Sequence, residues 1–414
     1  MFHREFTEHE RTKRQEGTTP LKPGKVIFIV LDGVGIGALP DARAYGDEGA
    51  NTLANTARAL KGIKLPNLER FGIGCIEDIP GVSSVSSPDA CYGKMAERSA
   101  GKDSTTGHWE LGGLVTDKAF PLYPRGFPAE LLEKFKSRTG VRGCLGNKPA
   151  SGTEIIKELG AEHVRTGFPI VYTSGDSVFQ IAAHEEVIPL ARLYEICEVT
   201  RTQILTGEHE VGRVIARPFV GTDGAFVRTT NRRDFALKPA GVTLLDVLSE
   251  EGIETVGIGK IDDLFCGRGL KEKIHTTSNS DGVRETLEAA ARMRSGFIMT
   301  NLVDFDTLYG HRQDPVGMGR ALEEFDKMLP SLISSLSDGD LLILTADHGN
   351  DPTDHSTDHS REYVPLLCMV RGGARGVNLG VRSSFSDAAQ TVAEYFSVAR
   401  KAELAGSSFL DSLV

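Results

Sequence analysis

The chain of 414 residues holds 47 Lys and Arg against 57 Asp and Glu, and its formal net charge of −10 argues against a broad nucleic-acid-binding surface. Its six scattered cysteines include no CxxC pair, which indicates a reducing compartment and excludes a disulfide or zinc framework. No apolar run approaches the roughly 18 residues that a membrane span needs, and no secretory signal is visible. We therefore expect a cytoplasmic protein of more than one domain, without a nucleic-acid, membrane or protein partner. The net charge does not exclude small anionic substrates.

The N-terminal part of the chain predicts a buried strand that leads into a candidate ligand. Residues 1–23 are charged and polar without an apolar period, and we interpret them as a flexible extension. Residues 25–31 form an unbroken apolar run, typical of a strand buried on both faces of a parallel sheet. Asp32 follows this run directly, and ligands of open α/β sheets bind beyond the carboxyl ends of the strands. Residues 51–62 and 65–71 are expected to form helix and loop.

Residues 101–110, GKDSTTGHWE, are the most distinctive stretch and hold the only Trp of the chain. Three adjacent hydroxyl residues between a Gly and a Gly-His pair are typical of a turn that enters a helix. Free backbone N–H groups and the helix dipole favour a phosphate at such a terminus. The alternative is a Ser/Thr-rich helix cap that binds no ligand.

The middle of the chain differs from the two parts that flank it in its prolines and in its short predicted strands. Prolines interrupt it shortly after residue 120, and short strand candidates follow at 169–173, 179–182 and 212–217. We interpret residues 121–238 as a separate, smaller α+β insert. The core then consists of residues 24–120 and 239–414.

Regular alternation of helix and strand returns after residue 239. The expected helices lie near 242–252, 281–294 and 316–329. The apolar strands that follow them lie at 254–259, 296–303 and 340–346. A further strand at 364–370 precedes a helix that begins at Ser386. This order predicts an α/β core with a doubly wound, mostly parallel sheet and helices on both faces.

Acidic and histidine side chains gather after three of the predicted strands. If these strands are parallel neighbours, the side chains lie along one rim of the sheet. The candidate ligands are Asp32, Asp306, His311, Asp347, His348 and His359. Carboxylates and imidazoles without a thiolate suit Mn²⁺, Zn²⁺ or Mg²⁺ and argue against a structural zinc site. The set is large enough for two ions, and two ions about 3.5–4 Å apart are a standard device for moving a phosphoryl group.

The spacing of Asp306 and His311 does not suit an α-helical pair of ligands. Side chains five residues apart point about 140° away from each other on an α-helix. We therefore expect both residues in a loop that folds back on itself. Each candidate ligand has an ordinary alternative role as a turn, cap or solvated residue, and the prediction depends on the joint pattern.

Five motifs resemble those of the phosphopentomutase family, which belongs to the alkaline phosphatase superfamily. They are DGVGIG from Asp32, GKDSTTGHWE, Asp306 with His311, TADHGNDP around Asp347, and DHSRE around His359. The resemblance runs from about residue 25 to the C-terminus. It implies an alkaline-phosphatase-like core interrupted by a cap domain, and the α+β insert at 121–238 corresponds to that cap.

The resemblance also implies how the ligands divide between two ions, for which Mn²⁺ is preferred and Mg²⁺ or Zn²⁺ are the alternatives. One ion is expected on Asp306, His311 and His359. The other is expected on Asp32, Asp347 and His348, with the Ser104 oxygen completing its shell.

The nucleophile and the substrate contacts follow from the same resemblance. Ser104 occupies a position that is usually Thr in the family, and it is expected to carry a phosphoryl group, with Thr105 and Thr106 as less favoured alternatives. Ser174 and Asp176 in the cap are expected to contact the sugar. The cationic residues expected to hold the substrate phosphate are Arg213, Arg228 and Lys260.

The implied reaction is a reversible transfer of phosphate between C1 and C5 of ribose or deoxyribose, with a bisphosphorylated sugar such as glucose 1,6-bisphosphate as activator. The family often has Ser at the position of Gly33, whereas the related phosphoglycerate mutases have Gly there, as this chain does. A cofactor-independent phosphoglycerate mutase-like enzyme is therefore the first alternative. A metal-dependent phosphatase or sulfatase and a metal-binding protein without catalysis are the others.

Overall fold

The computed structural model describes residues 23–175, 177–398 and 403–414, so the predicted N-terminal extension lies outside the described residues except for Pro23. In chain order, the strands are β1 (Lys25–Leu31), β2 (Cys91–Met95), β3 (Leu145–Pro149), β4 (Ile170–Thr173), β5 (Val178–His184), β6 (Arg213–Val220), β7 (Val227–Arg228), β8 (Arg233–Ala236), β9 (Thr255–Ile258), β10 (Glu272–Ile274), β11 (Gly296–Leu302), β12 (Leu341–Thr345), β13 (Val364–Val370) and β14 (Asn378–Arg382). The α-helices are α1 (Ala42–Tyr45), α2 (Thr52–Ala59), α3 (Pro66–Phe71), α4 (Ser104–Leu111), α5 (Ala129–Thr139), α6 (Gly152–Thr166), α7 (Leu190–Val199), α8 (Leu244–Glu250), α9 (Ile261–Phe265), α10 (Asn279–Arg292), α11 (Pro315–Ser334) and α12 (Ser386–Tyr395). Among the described residues, every helix is too short or too polar to cross a membrane.

The larger sheet has the order β10-β9-β11-β1-β12-β13-β2-β14. Every neighbouring pair is parallel except those of β13, which runs antiparallel to both β12 and β2. The predicted doubly wound, mostly parallel α/β core is thus confirmed. Strand β1 lies between β11 and β12, and all its residues are buried, which explains its unbroken apolar sequence.

The predicted core elements correspond to observed ones, with ends that differ by a few residues. Three strands were missed, and each lacks the signal on which the prediction relied. Strand β10 has only three residues. Strand β14 is largely exposed at the edge of the sheet, and β2 alternates between buried and half-buried positions. An unbroken apolar run marks only the strands in the middle of a parallel sheet.

A second, mixed sheet is formed by β3-β4-β5-β6-β7, with β8 paired to β6. The predicted strands at 169–173, 179–182 and 212–217 match β4, β5 and β6. One face of this sheet packs an apolar cluster that includes Phe135 and Leu193 of helices α5 and α7, and the other face packs a cluster with Ile155 of α6. The second sheet therefore has its own cores, while the boundaries of the insert at 121 and 238 remain predictions.

Candidate metal centre

Three carboxylates lie along one rim of the larger sheet because the strands before them are parallel neighbours. Asp32 follows β1 directly, Asp347 follows β12 after one residue, and Asp306 lies four residues beyond β11. The registers Leu31↔Leu302 and Val30↔Thr345 bring the ends of these strands level with one another. All three carboxylates are almost completely buried. The predicted gathering of acidic side chains at one edge therefore occurs in the structure.

His348 joins two of these carboxylates into a first group of candidate ligands. Its Nε2 lies 3.2 Å from Asp347 Oδ2 and 3.5 Å from Asp32 Oδ1. One donor atom from each of the three residues falls within 4.8 Å of the others. The Ser104 hydroxyl oxygen is 3.1 Å from the same His348 nitrogen. A hydroxyl thus lies at the edge of a compact site with two carboxylates and one imidazole.

A second group is centred on Asp306. Its Oδ1 lies 3.3 Å from His359 Nε2, and its Oδ2 lies 3.3 Å from His311 Nε2. The imidazole rings of His348 and His359 are 4.0 Å apart, and those of His359 and His311 are 4.8 Å apart. His348 also falls within 4.8 Å of the donors of Asp306 and His359. It therefore lies between the two groups, although the sequence assigned it to one ion only.

The segment that joins Asp306 to His311 is not the expected loop, and this prediction was wrong. Phe305–Gly310 forms a π-helical turn, and the N–H of His311 donates to the carbonyl oxygen of Asp306 at 3.0 Å. A π-helix closes each turn between residues i and i+5, so it places residues five apart on one face. The geometry that an α-helix forbids is therefore supplied by a wider helical turn.

Asp32 and Asp347 each have one oxygen held by a protein donor and a second oxygen without a hydrogen-bond partner. Gly33 N–H donates to Asp347 Oδ1 at 3.1 Å, from a backbone with φ 76° that favours glycine. Among the buried side chains of the described residues, the atoms without a hydrogen-bond partner include Asp32 Oδ1, Asp347 Oδ2 and His359 Nε2. Buried polar atoms rarely lack partners, and cations bound in the two ligand groups would satisfy these atoms. The residues present therefore fit a metal centre.

The charge of Asp32 is disfavoured in its surroundings. Burial, together with the neighbouring carboxylates of Asp347 and Asp306, raises its pKa to about 6. A cation beside Asp32 would reverse both effects. The electrostatics of the site therefore also favour bound positive charge.

Imidazoles already supply part of this compensation. Burial by itself would raise the pKa of Asp347, but His348 and His108 outweigh burial and hold it well below its ordinary value. Burial likewise opposes the charge of Asp306, and His359 reverses that shift. In turn, burial lowers the pKa of His348, whereas Asp347 raises it well above its usual range. The charges of the buried carboxylates and of the imidazoles thus stabilise one another.

Helix α4 presents Ser104 to this centre and begins at that residue. Asp103 caps the helix, and its Oδ1 accepts hydrogen bonds from the N–H groups of Thr105 and Thr106 at 3.0 and 3.1 Å. Two of the N–H groups that were predicted to face a phosphate are therefore bonded within the chain. The Ser/Thr cap considered as the alternative is also replaced, because an aspartate is the capping residue. A Cβ at Gly107 would overlap the Asp347 carbonyl, so glycine allows α4 to lie directly on β12's end.

The other motif residues fix the loop that precedes Ser104. The buried guanidinium of Arg361 donates to Glu97 Oε2 at 2.7 Å and to the carbonyl oxygens of Ser99 and Gly101 at 2.8 and 2.6 Å. Glu110 accepts the N–H of Ser99 at 2.5 Å. The motifs DHSRE and GHWE therefore hold the same loop from two sides and set the start of α4.

Several residues that hold the ligands were absent from the sequence prediction. Asn301 Nδ2 donates to Asp32 Oδ2 at 2.8 Å, and Asn350 Nδ2 donates to Asp306 Oδ1 at 2.7 Å. Asn301 is a buried amide on β11, where it and Thr300 follow an apolar run, and a buried amide needs a hydrogen-bond partner. That interruption was a signal in the sequence. Asn350 lies two residues after His348 in the TADHGNDP motif, so its place in the motif was the available signal.

A cleft of about 1200 Å³ opens in front of Ser104 between the two sheets. Ser174, Arg213 and Lys260 line this cleft together with Ser104, so the structure brings three of the predicted substrate contacts to the candidate centre. Arg213 Nη1 lies 3.7 Å from Asp234 Oδ2, which keeps the guanidinium at the wall of the cleft. The cleft therefore joins a hydroxyl, a metal-ligating rim and cationic side chains.

Two other predicted substrate contacts, Arg228 and Asp176, are not found among the described residues that line this cleft. Arg228 lies instead in an adjoining cavity of about 580 Å³. Arg217 and Arg232 line both cavities, so the two spaces adjoin. Asp176 lies outside the described residues. The roles of both residues remain predictions.

Comparisons with known proteins agree with the motifs. The solved phosphoglycerate mutase of Leishmania mexicana at low cobalt concentration superposes with a TM-score of 0.49 at 13% identity, covering 94% of this chain and 98% of that chain. A sequence model described as the metalloenzyme superfamily matches residues 24–400. Phosphopentomutase of Dictyoglomus thermophilum is 59% identical over 389 residues, which are 94% of this chain and 98% of that protein. Phosphopentomutase of Acetivibrio thermocellus is 55% identical over 390 residues, which are 94% of this chain and all of that protein. The chain therefore belongs to the phosphopentomutase family within the metalloenzyme superfamily, and it is an intramolecular phosphotransferase of the isomerase class.

Proposed function

We propose that the chain interconverts ribose 1-phosphate and ribose 5-phosphate, or the deoxyribose equivalents, through a phosphorylated Ser104. The observation that carries this proposal is the position of the Ser104 hydroxyl, 3.1 Å from His348 Nε2 and at the head of a cleft with cationic walls. An alcohol at that point lies beside the metal-ligating rim and within reach of a bound sugar phosphate.

The ligand set of the first ion is proposed to be Asp306, His311 and His359. The set of the second is proposed to be Asp32, Asp347 and His348 with the Ser104 oxygen. When bound, two ions, for which Mn²⁺ is preferred over Mg²⁺ or Zn²⁺, neutralise phosphoryl oxygens and lower the pKa of the attacking hydroxyl. The protein groups hold the donors and Ser104 in place before the reaction, which is most of what phosphoryl transfer requires of a protein.

The transfer is proposed to proceed in two steps through one residue. Phosphorylated Ser104 gives its phosphoryl group to the free hydroxyl of a bound pentose phosphate. The bond from phosphorus to the Ser104 oxygen breaks, a bond to the sugar oxygen forms, and the net transfer of the sugar's hydroxyl proton restores the Ser104 hydroxyl. The sugar is then bisphosphorylated, and it turns or rebinds so that its other phosphate returns to Ser104. A bisphosphorylated sugar such as glucose 1,6-bisphosphate would load Ser104 at the start.

The cleft supplies the binding half of the mechanism. Arg213 and Lys260 are proposed to hold the phosphate that is not being transferred, and Ser174 is proposed to contact the sugar. Arg228 and Asp176 are retained as proposed contacts from the family resemblance. Residues 121–238 are proposed to form a cap that excludes water, because water in place of the sugar would convert the mutase into a phosphatase. The cytoplasm remains the expected location of these pentose phosphates and of the protein.

The reaction can be run with the protein, Mn²⁺, glucose 1,6-bisphosphate and ribose 1-phosphate, and its products can be identified by phosphorus NMR after the paramagnetic Mn²⁺ has been removed. Ribose 5-phosphate is expected as the main product, and Ser104→Ala is expected to abolish its formation. A parallel sample receives 3-phosphoglycerate instead of the pentose. Free phosphate as the main product would support a phosphatase, and turnover of 3-phosphoglycerate alone would support the phosphoglycerate mutase alternative.

A further inference from the structure

A buried imidazole and a buried amide lie behind Ser104, on the side away from the cleft. His108 is 0% exposed and Asn301 is 1% exposed. Asn301 Nδ2 lies 2.8 Å from Asp32 Oδ2 and 3.2 Å from His108 Nε2. His108 Nδ1 lies 2.8 Å from the carbonyl oxygen of Ser104. Three consecutive hydrogen bonds therefore connect a candidate metal ligand to the backbone of the candidate nucleophile.

The direction of each hydrogen bond in this chain is fixed by its two ends. The Ser104 carbonyl can only accept, so His108 Nδ1 carries the hydrogen and a neutral His108 accepts at Nε2. The amide of Asn301 has two hydrogens, and one faces His108 while the other faces Asp32. Turning the amide over would place its oxygen against the Asp32 carboxylate, which is repulsive. Each donor thus meets an acceptor.

The chain of hydrogen bonds joins three elements that the backbone does not join directly. Asp32 follows β1, Asn301 lies on β11, and His108 lies one turn after Ser104 on α4. His108 Nδ1 also lies 3.0 Å from Asp347 Oδ2, although that oxygen has no aligned hydrogen bond. The imidazole therefore fills the space between both carboxylates of the first ligand group and the start of α4.

We propose that His108 and Asn301 are positioning residues that hold the Ser104 hydroxyl at a fixed place relative to the metal-ligating oxygen Asp32 Oδ1. Because Asn301 engages Asp32 Oδ2, only Oδ1 of that carboxylate is left for an ion. Because His108 donates to the Ser104 carbonyl and accepts from the same Asn301 amide, the first turn of α4 is held at a fixed position relative to Asp32. Groups that orient metal ligands typically change metal affinity or activity about 10- to 100-fold when they are replaced. The part of this inference that concerns Ser104 phosphorylation rests on the proposed function, whereas the part that concerns metal binding does not.

The two ends of the chain can be tested separately by matched substitutions. Asn301→Leu keeps the approximate volume and removes both donors, so it acts on Asp32. His108→Gln can still accept from Asn301 at the former Nε2 position, but it loses the donor to Ser104. His108→Asn keeps a donor near the former Nδ1 position and loses the acceptor for Asn301. These variants distinguish the metal end of the chain from the nucleophile end.

A control for the mere loss of a buried histidine exists in the second sheet. His163 is also 0% exposed, its Nδ1 lies 2.7 Å from the Phe168 carbonyl oxygen, and its Nε2 accepts the N–H of His184 at 2.8 Å. His163→Gln therefore makes the same change as His108→Gln, because it keeps the acceptor for His184 and loses the donor to Phe168. It is expected to lower the free energy of unfolding without changing metal binding or Ser104 phosphorylation.

Two measurements on the full chain test the inference. Equilibrium dialysis gives the affinity for Mn²⁺, and intact mass over time gives the rate of phosphorylation by glucose 1,6-bisphosphate at saturating Mn²⁺. Asn301→Leu is expected to weaken Mn²⁺ binding about 10- to 100-fold. His108→Gln is expected to bind Mn²⁺ nearly as well as the wild type and to be phosphorylated at least about tenfold more slowly, and His108→Asn is expected to recover part of that rate.

Wild-type phosphorylation of His108→Gln together with wild-type Mn²⁺ affinity of Asn301→Leu would overturn the inference. An equal loss in His163→Gln would also overturn it, because the effect would then come from general destabilisation. If the wild type fails to isomerise pentose phosphates while Asn301→Leu still weakens Mn²⁺ binding, the proposed function fails and the metal-positioning role of Asn301 stands. Should His108→Gln fail to fold, the comparison of His108→Asn with Asn301→Leu decides the matter. In that comparison, wild-type behaviour of both variants counts against the inference.

Discussion

Gly107→Ala should inactivate the enzyme while leaving it folded. The added Cβ would overlap the carbonyl oxygen of Asp347. Because this oxygen belongs to the backbone, the overlap cannot be relieved by the rotation of a flexible side chain. Relief of this overlap requires α4 to move by about 1 Å, and a displacement of that size between reacting groups can cost about 100-fold in rate. The overlap itself costs about 1–3 kcal/mol, while the better helix propensity of alanine returns about 1 kcal/mol. The expected net loss of stability is therefore small against the loss of rate.

The assay compares kcat/KM for ribose 1-phosphate with the free energy of unfolding in urea, at saturating Mn²⁺ and activator. Gly282→Ala in α10 is the matched control, because its new Cβ would press on the end of the Leu302 side chain and not on backbone. We expect kcat/KM to fall about 100-fold in Gly107→Ala and to stay near the wild-type value in Gly282→Ala. A Gly107→Ala variant with wild-type kcat/KM would refute the close approach of α4 to Asp347.

Three further predictions follow from the centre and its surroundings. Asp347→Asn removes charge from a buried ligand and should lower Mn²⁺ occupancy and turnover together, by more than about tenfold, as dialysis and NMR would measure; full activity in excess chelator would contradict this role. Lys260→Met should raise KM for ribose 1-phosphate about tenfold or more through the loss of a charged hydrogen bond, whereas the exposed Lys157→Met should leave KM unchanged. Burial raises the pKa of Glu362 to about 7 despite hydrogen bonds from Ser360 and Thr52, so the folded state keeps a proton that the unfolded state releases near pH 4.5. Relative to Glu362→Gln, the wild type should therefore be most stable below about pH 4.5 and lose about 3 kcal/mol as the pH rises to about 7, and urea unfolding that shows no such trend would contradict it.

The core of the fold was accessible from the sequence because its central strands are buried on both faces. The run at 25–31 and the strands at 296–303 and 340–346 are apolar for that reason, and β1, β11 and β12 are adjacent in the sheet. The same adjacency explains why residues far apart in the chain could be predicted to share one rim. Short or exposed strands such as β10 and β14 carry no comparable pattern.

Details of the site that depend on backbone geometry could not be predicted from the sequence. The π-helical turn at Phe305–Gly310 pairs Asp306 with His311, and no residue pattern distinguishes such a turn from an α-helical one. The position of His348 between both ligand groups depends on the arrangement of β11, β1 and β12 in the sheet, which spacing along the chain does not contain. The identity of the partner of Asn301 could not be predicted either, because its contact with Asp32 joins residues 269 positions apart.

The most direct test of the central claim is to map the phosphate that the protein acquires from glucose 1,6-bisphosphate in the presence of Mn²⁺. Peptide mass spectrometry of the wild type should show one added phosphate on the peptide that contains Ser104, assigned to Ser104 itself and removed by ribose 5-phosphate. A turning-over enzyme with phosphate on Thr105, on Thr106 or on no residue would contradict the claim that this hydroxyl, beside His348, is the one that carries the transferred group.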